Sequence, residues 1–253
     1  MPHALETIQR FSWSTVSITC LALALSLAVP SATPAQAEEA TDPGLAYSIS
    51  RGGKLYDNWM TVLKASKPSE THPAWPASNT KRSGDVTWRC KSCHGWDLMG
   101  RDGAYAKGSY ETGIKGLKAL DGGKPAAVIA VMKHASHGFD GLLSEADFVD
   151  LANFVTRGQI GFSTVINYAD KSVTGDKAHG KDLYQTLCVA CHGLDGREPK
   201  EMDALGALAA GNPQEVLHKI RVGQPGEQMP GMHSLPVSMQ ADLLAYLQDL
   251  PRE

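Results

Sequence analysis

The sequence predicts an all-α protein built from two related helical domains behind a removable leader. Three observations carry this: helix-start signals recur along the chain, no convincing run of strand-type alternation appears, and one half repeats the other. Gly180, Leu183 and Tyr184 match Gly52, Leu55 and Tyr56 in spacing, with both positions between the glycine and the leucine different. The segment from Asp242 to Leu247 likewise matches that from Asp150 to Val155.

The elements follow in order. Residues 1–37 read as a secretory signal peptide: Arg10 offset by Glu6, an apolar stretch from Thr15 to Val29, then small residues ending at Ala35 and Ala37. That stretch is shorter than the about 20 apolar residues needed to span a bilayer, so cleavage and export to the periplasm are expected, with no membrane span afterwards. Residues 38–160 form the first domain. It carries an insertion at about 57–87, because Tyr56 precedes Cys90 by 34 residues and Tyr184 precedes Cys188 by four. Pro68, Pro73 and Pro76 make that insertion an irregular ordered loop. Lys124-Pro125 opens a helix to about Ala135, and Ser144 with Asp147 forms a capping box before Phe148, Leu151, Phe154 and Val155. Residues 161–175 read as linker, and 176–253 as the second domain, with Asn212-Pro213 opening a helix to about Val222.

Composition bounds the function. The 253 residues carry 24 Lys+Arg and 27 Asp+Glu, a formal net charge of −3, with 42% hydrophobic and 20% charged residues. This is a globular balance, which excludes a disordered, collagen-like or multi-span protein and gives no electrostatic footprint for nucleic acid. The first domain is close to neutral and the second acidic. Lys81, Arg82, Arg89 and Lys91 cluster around the start of the first cysteine pair, as a basic face for an acidic redox partner or as plain solvated surface.

Beyond the leader, which contains Cys20, the cysteines are Cys90, Cys93, Cys188 and Cys191, and each pair runs straight into a histidine, His94 or His192. Cys-x-x-Cys-His is the attachment sequence for c-type haem: two thiols on one helical turn each add to a vinyl group, and the adjacent imidazole lies under the iron. A structural zinc site wants four ligands and each set would lack one. A disulfide framework or a redox pair needs no histidine after every pair. Two covalently bound c-type haems are therefore expected.

The segment holding Gly180, Leu183 and Tyr184, then Cys188 to His192, Gly193 to Gly196, Met229-Pro230 and the closing helix Asp242–Leu250, resembles the class I cytochrome c domain. With its repeat, the chain resembles a tandem two-haem, periplasmic c-type cytochrome. The resemblance implies a small all-α domain around each haem, with first and last helices crossing where a small residue of the first lets an aromatic of the last pack closely: Gly180 with Tyr246, and Gly52 with Phe154. It places His94 and His192 as proximal ligands and Met229 as distal ligand of the second iron. Met232 is the alternative there, and His218 reads as a surface or packing residue of its helix. The first domain departs from the pattern, having no Met-Pro. Counting back from the matched closing helices puts His137 opposite Met229, so His137 is the favoured distal ligand, with His134, Met132, His72, Met99 or an open position as alternatives. A His/His iron should lie lower in potential than a His/Met iron, so electrons would run from the first domain to the second.

The expected function is single-electron transfer between a dehydrogenase or quinol-oxidising complex and a terminal oxidase or reductase. Redox proteins would be the partners, and no side chain would do acid–base chemistry. Two alternatives stand beside it. One is a cytochrome subunit in complex with a larger dehydrogenase. The other is an oxidoreductase resembling the two-haem thiosulfate dehydrogenases, which often use a cysteine as distal ligand; no cysteine remains here beyond the attachment pairs.

Overall fold

In the computed structural model, which describes residues 43–253, helices are joined by turns, and no strand forms among the described residues beyond two isolated bridges, Gly100 with Lys115 and Ile166 with Val173. The expected leader lies outside the described residues. The helices are α1 (Pro43–Leu63), α2 (Cys90–His94), α3 (Pro125–Lys133), α4 (Glu145–Arg157), α5 (Lys177–Leu187), α6 (Val189–His192), α7 (Leu205–Gly211), α8 (Pro213–Val222) and α9 (Val237–Leu247).

Local chemistry fixes the helix starts. Pro125 and Pro213 occupy first positions, where the missing N–H costs nothing. Asp176 caps α5 by accepting from the Ala178 and His179 amides. At α4 the capping box is complete: the Asp147 amide donates to Ser144 Oγ and the Ser144 amide donates to the Asp147 carboxylate. Ser144→Ala should cost about 1 kcal/mol, read as a lower denaturant midpoint with an unchanged slope.

Two pairs of crossed helices organise the packing. A Cβ on Gly52 would fall 2.0 Å from the Asp150 carbonyl oxygen and 2.9 Å from Phe154 Cβ. On Gly180 it would fall 2.0 Å from the Asp242 carbonyl oxygen and 3.0 Å from Tyr246 Cβ. Thus α1 touches α4, and α5 touches α9, backbone to backbone. Buried side chains gather around these crossings in two clusters. One holds Leu55, Tyr56, Trp59, Phe148, Leu151 and Phe154; the other holds Tyr184, Leu205, Leu217, Leu244 and Leu247.

The sequence reading is adjusted in two segments. The irregular stretch begins at about residue 64 rather than 57, because α1 continues past a kink at Asn58 (φ −156°, ψ 84°) to Leu63. Asn58 Oδ1 accepts from the Thr61 amide, restarting the helix, and the added turn buries Trp59 and Met60. The stretch read as linker, 161–175, packs Phe162, Val165 and Ile166 into the second cluster.

One face of α1 also meets α8 and the loop after it. Ser50 Oγ donates to the Val222 carbonyl (3.0 Å), His218 Nε2 donates to the Gly53 carbonyl (3.0 Å), and Lys219 pairs with Asp57 (2.8 Å). Lys54 Nζ reaches the Met229 carbonyl (3.3 Å).

Candidate functional site

The first Cys-Cys-His set occupies α2, a single turn that ends on Gly95 at φ +81°, a backbone angle suited to glycine. The turn is pinned from several sides. Ser92 Oγ donates to the Val86 carbonyl (2.7 Å), and the Tyr56 hydroxyl donates to the Gly95 carbonyl (2.6 Å). Cys90 and Cys93 are both free, and burial pushes their thiols up to about 12 and about 11, so they stay protonated.

His94 Nδ1 donates to the Lys115 carbonyl (2.9 Å), which fixes the tautomer and leaves Nε2 as the ligating nitrogen. Burial pushes the His94 imidazole down to about 4, keeping the ring neutral. The His137 ring faces it, with centroids 6.5 Å apart and planes within 11°. A metal bonded to two imidazoles at about 2 Å each would hold facing rings with centroids about 6 Å apart. That spacing would leave room for one iron held by His94 and His137, with Cys90 and Cys93 on the same turn as His94 to serve as attachment thiols.

The other candidates are engaged elsewhere. His134 is exposed, and its Nδ1 accepts from the Ser136 amide (3.2 Å). Met132 packs on the first cluster. His72 is buried with both ring nitrogens hydrogen-bonded to backbone.

The second set shares the tyrosine and histidine hydrogen bonds of the first. Cys188 and Cys191 are free, and burial raises the Cys188 thiol to about 11. Tyr184 OH donates to the Gly193 carbonyl (2.6 Å), matching Tyr56 and Gly95. His192 Nδ1 donates to the Glu198 carbonyl (3.0 Å), again leaving Nε2 for a metal. Gly193 ends α6 at φ +71°. Met229 is half-buried on the loop between α8 and α9 and joins neither buried cluster among the described residues, whereas Met232 packs on the second. A thioether outside the core suits a ligand better than one already filling it.

Of the basic residues around Cys90, Lys81 and Arg82 are exposed, while Lys91 and Arg89 are drawn inward. Lys91 is 4% exposed, with Nζ 4.6 Å from the Trp96 ring centroid and 4.4 Å from that of Tyr110. Arg89 turns inward to Asp57, and Arg82 lies over Tyr110. Apolar aromatic surface next to the attachment turn draws in the long side chains. Sequence reasoning also missed Lys54 and the structural role of His72, since both act on backbone carbonyls far along the chain, where no side-chain motif marks the partner.

Residues 175–247 match the family model described as cytochrome C oxidase, cbb3-type, subunit III. The match identifies a cytochrome c domain within the chain, which implies covalently bound c-type haem, its iron, and redox partner proteins. No curated protein matches the chain. Among the described residues no helix is long and apolar enough to cross a membrane.

Proposed function

We propose that the chain is a two-haem c-type cytochrome of the periplasm. It would carry single electrons between a dehydrogenase or quinol-oxidising complex and a terminal oxidase or reductase. The observation that carries this reading is the duplicated constellation. Each Cys-x-x-Cys-His turn has a tyrosine hydroxyl on the following glycine carbonyl and a backbone carbonyl on histidine Nδ1. One such turn lies inside the matched cytochrome c domain, and the other shares both of these hydrogen bonds. Export rests on the leader-like residues 1–37.

In this reading Cys90, Cys93, Cys188 and Cys191 attach the two haems, His94 and His137 bind one iron, and His192 and Met229 bind the other. When bound, each haem supplies a one-electron couple. The protein's part is to hold ligands, exclude water and set potentials. The paired imidazoles support the lower potential at the first iron, so electrons would enter there and leave through the second.

Intact mass and haem staining of the denatured protein test the count. Wild type should retain two haems, and the paired alanine variants at Cys90/Cys93 and at Cys188/Cys191 should each retain one. A single haem on wild type would overturn the two-haem reading. A second reading, a cytochrome subunit of a larger complex, draws support from the match to a family described as an oxidase subunit. Co-purification with a stoichiometric partner from the native host would favour it.

A further inference from the structure

The stretch after α1, residues 64–83, has no counterpart before Cys188, and one of its residues is held as a core residue would be. His72 is 7% exposed. Its amide donates to Thr87 Oγ1 (2.9 Å), and the Thr87 hydroxyl donates in turn to the Gly84 carbonyl (2.6 Å). The ring sits 4.4 Å from that of Trp88, edge to face, and 5.9 Å from that of Phe139. His72 Nδ1 accepts from the Ala74 amide (3.0 Å), so the ring proton is on Nε2. That Nε2 donates to the carbonyl oxygen of His137 (2.8 Å).

We infer that His72 is a positioning residue for His137, and that residues 64–83 serve to hold the first iron's distal ligand in place. The inference rests on the His94/His137 reading above. His137 sits on a turn whose neighbours Ser136 and Gly138 are exposed, and its own amide makes only a local bond to the His134 carbonyl (2.9 Å). A ligand on such a turn must be ordered at each binding event. A donor fixed by Thr87, Ala74 and two aromatic rings supplies that order beforehand. The geometry also removes His72 itself from the set of possible ligands, because Nδ1 and Nε2 are both used on backbone groups.

The test uses the full haem-loaded protein and two readouts: the low-spin signal of the first haem in electron paramagnetic resonance, and the rate of carbon monoxide binding to the reduced protein. His72→Phe keeps a ring among Trp88 and Phe139 but loses the donor. It should raise the carbon monoxide rate at the first haem about tenfold, the equilibrium worth of one buried hydrogen bond, and leave the second haem unchanged. His72→Gln, which can still donate to the His137 carbonyl, should restore most of the wild-type rate. Should His72→Phe not assemble, Thr87→Val releases the His72 backbone while sparing its ring and should open the site by a smaller factor. A wild-type rate in the variant that assembles, alongside a fast rate in His137→Ala, would show that His72 only packs and would overturn the inference. If His137→Ala itself keeps the wild-type rate and signal, the ligand assignment is wrong and the positioning role goes with it.

Discussion

Gly180→Ala and Gly52→Ala are each expected to destabilise the protein by about 3 kcal/mol, measured by denaturant unfolding and by the fraction of chains that acquire haem. The sign is opposite to the usual one. In a helix interior alanine is better than glycine by up to about 1 kcal/mol, because it restricts the unfolded chain and needs no special backbone angle. Here the added carbon would sit 2.0 Å from a carbonyl oxygen of the crossing helix, Asp242 for Gly180 and Asp150 for Gly52. The obstructing atoms are backbone, so no rotamer change relieves the overlap and the helices must part. Parting α5 from α9 also disturbs Tyr184, whose hydroxyl secures the Gly193 carbonyl beside His192. Haem retention at the second site should therefore fall with stability. Gly211→Ala is the control: nothing lies within 4 Å of a Cβ there, so the substitution should be neutral or slightly stabilising. Equal effects at Gly180 and Gly211 would mean that the crossing is not close.

These two glycines also mark how far the sequence could be read. Their pairing with Phe154 and Tyr246 was implied by the resemblance to the class I cytochrome c domain, and lining up the two copies carried it from Gly180 to Gly52. The starts of α3, α4 and α8 were legible for the same kind of reason: proline and capping side chains act within four residues. His94 and His192 were marked by adjacency to the thiols, and the structure adds the carbonyls that fix their tautomers. What the sequence hid was contact between segments with no local signature. The 161–175 stretch looked like linker because its three buried residues, Phe162, Val165 and Ile166, make a single i, i+3, i+4 set around one short turn, too brief to stand out as a periodic helix. Asn58 looked like the start of a loop, although its side chain restarts α1. His218 lies on an amphipathic helix whose polar side would ordinarily meet water, yet that side meets α1.

His218 accordingly leads to the second large effect, a loss of stability in mild acid. The residue is 1% exposed and packs against Tyr56, Phe154 and Trp96, with ring centroids 5.9, 5.6 and 5.2 Å away. Desolvation pushes its imidazole down to about 4; Asp57 opposes this, while Lys219 and Arg221 reinforce it. In the unfolded chain the ring titrates near its ordinary value of about 6.5. The folded value is the lower one, so the unfolded state binds the extra proton as pH falls. The contribution of a neutral His218 is intact above pH 6.5 and is lost progressively between pH 6.5 and pH 4, by about 3 kcal/mol in all. His218→Gln keeps a donor for the Gly53 carbonyl but has nothing to titrate. It should be less stable than wild type at pH 7 and lose less on acidification, so that the two stability curves converge toward pH 4. Parallel curves would assign the acid sensitivity to another group, such as Asp57, whose carboxyl is held low by Lys219 and Arg89 and titrates at lower pH. The consequence reaches the first site. Protonating His218 would put a desolvated charge beside Tyr56, the residue that holds the Gly95 carbonyl next to His94, and would weaken the contact of α8 with α1. Acid should then perturb the first haem's spectrum before global unfolding in wild type, and His218→Gln should suppress that early change.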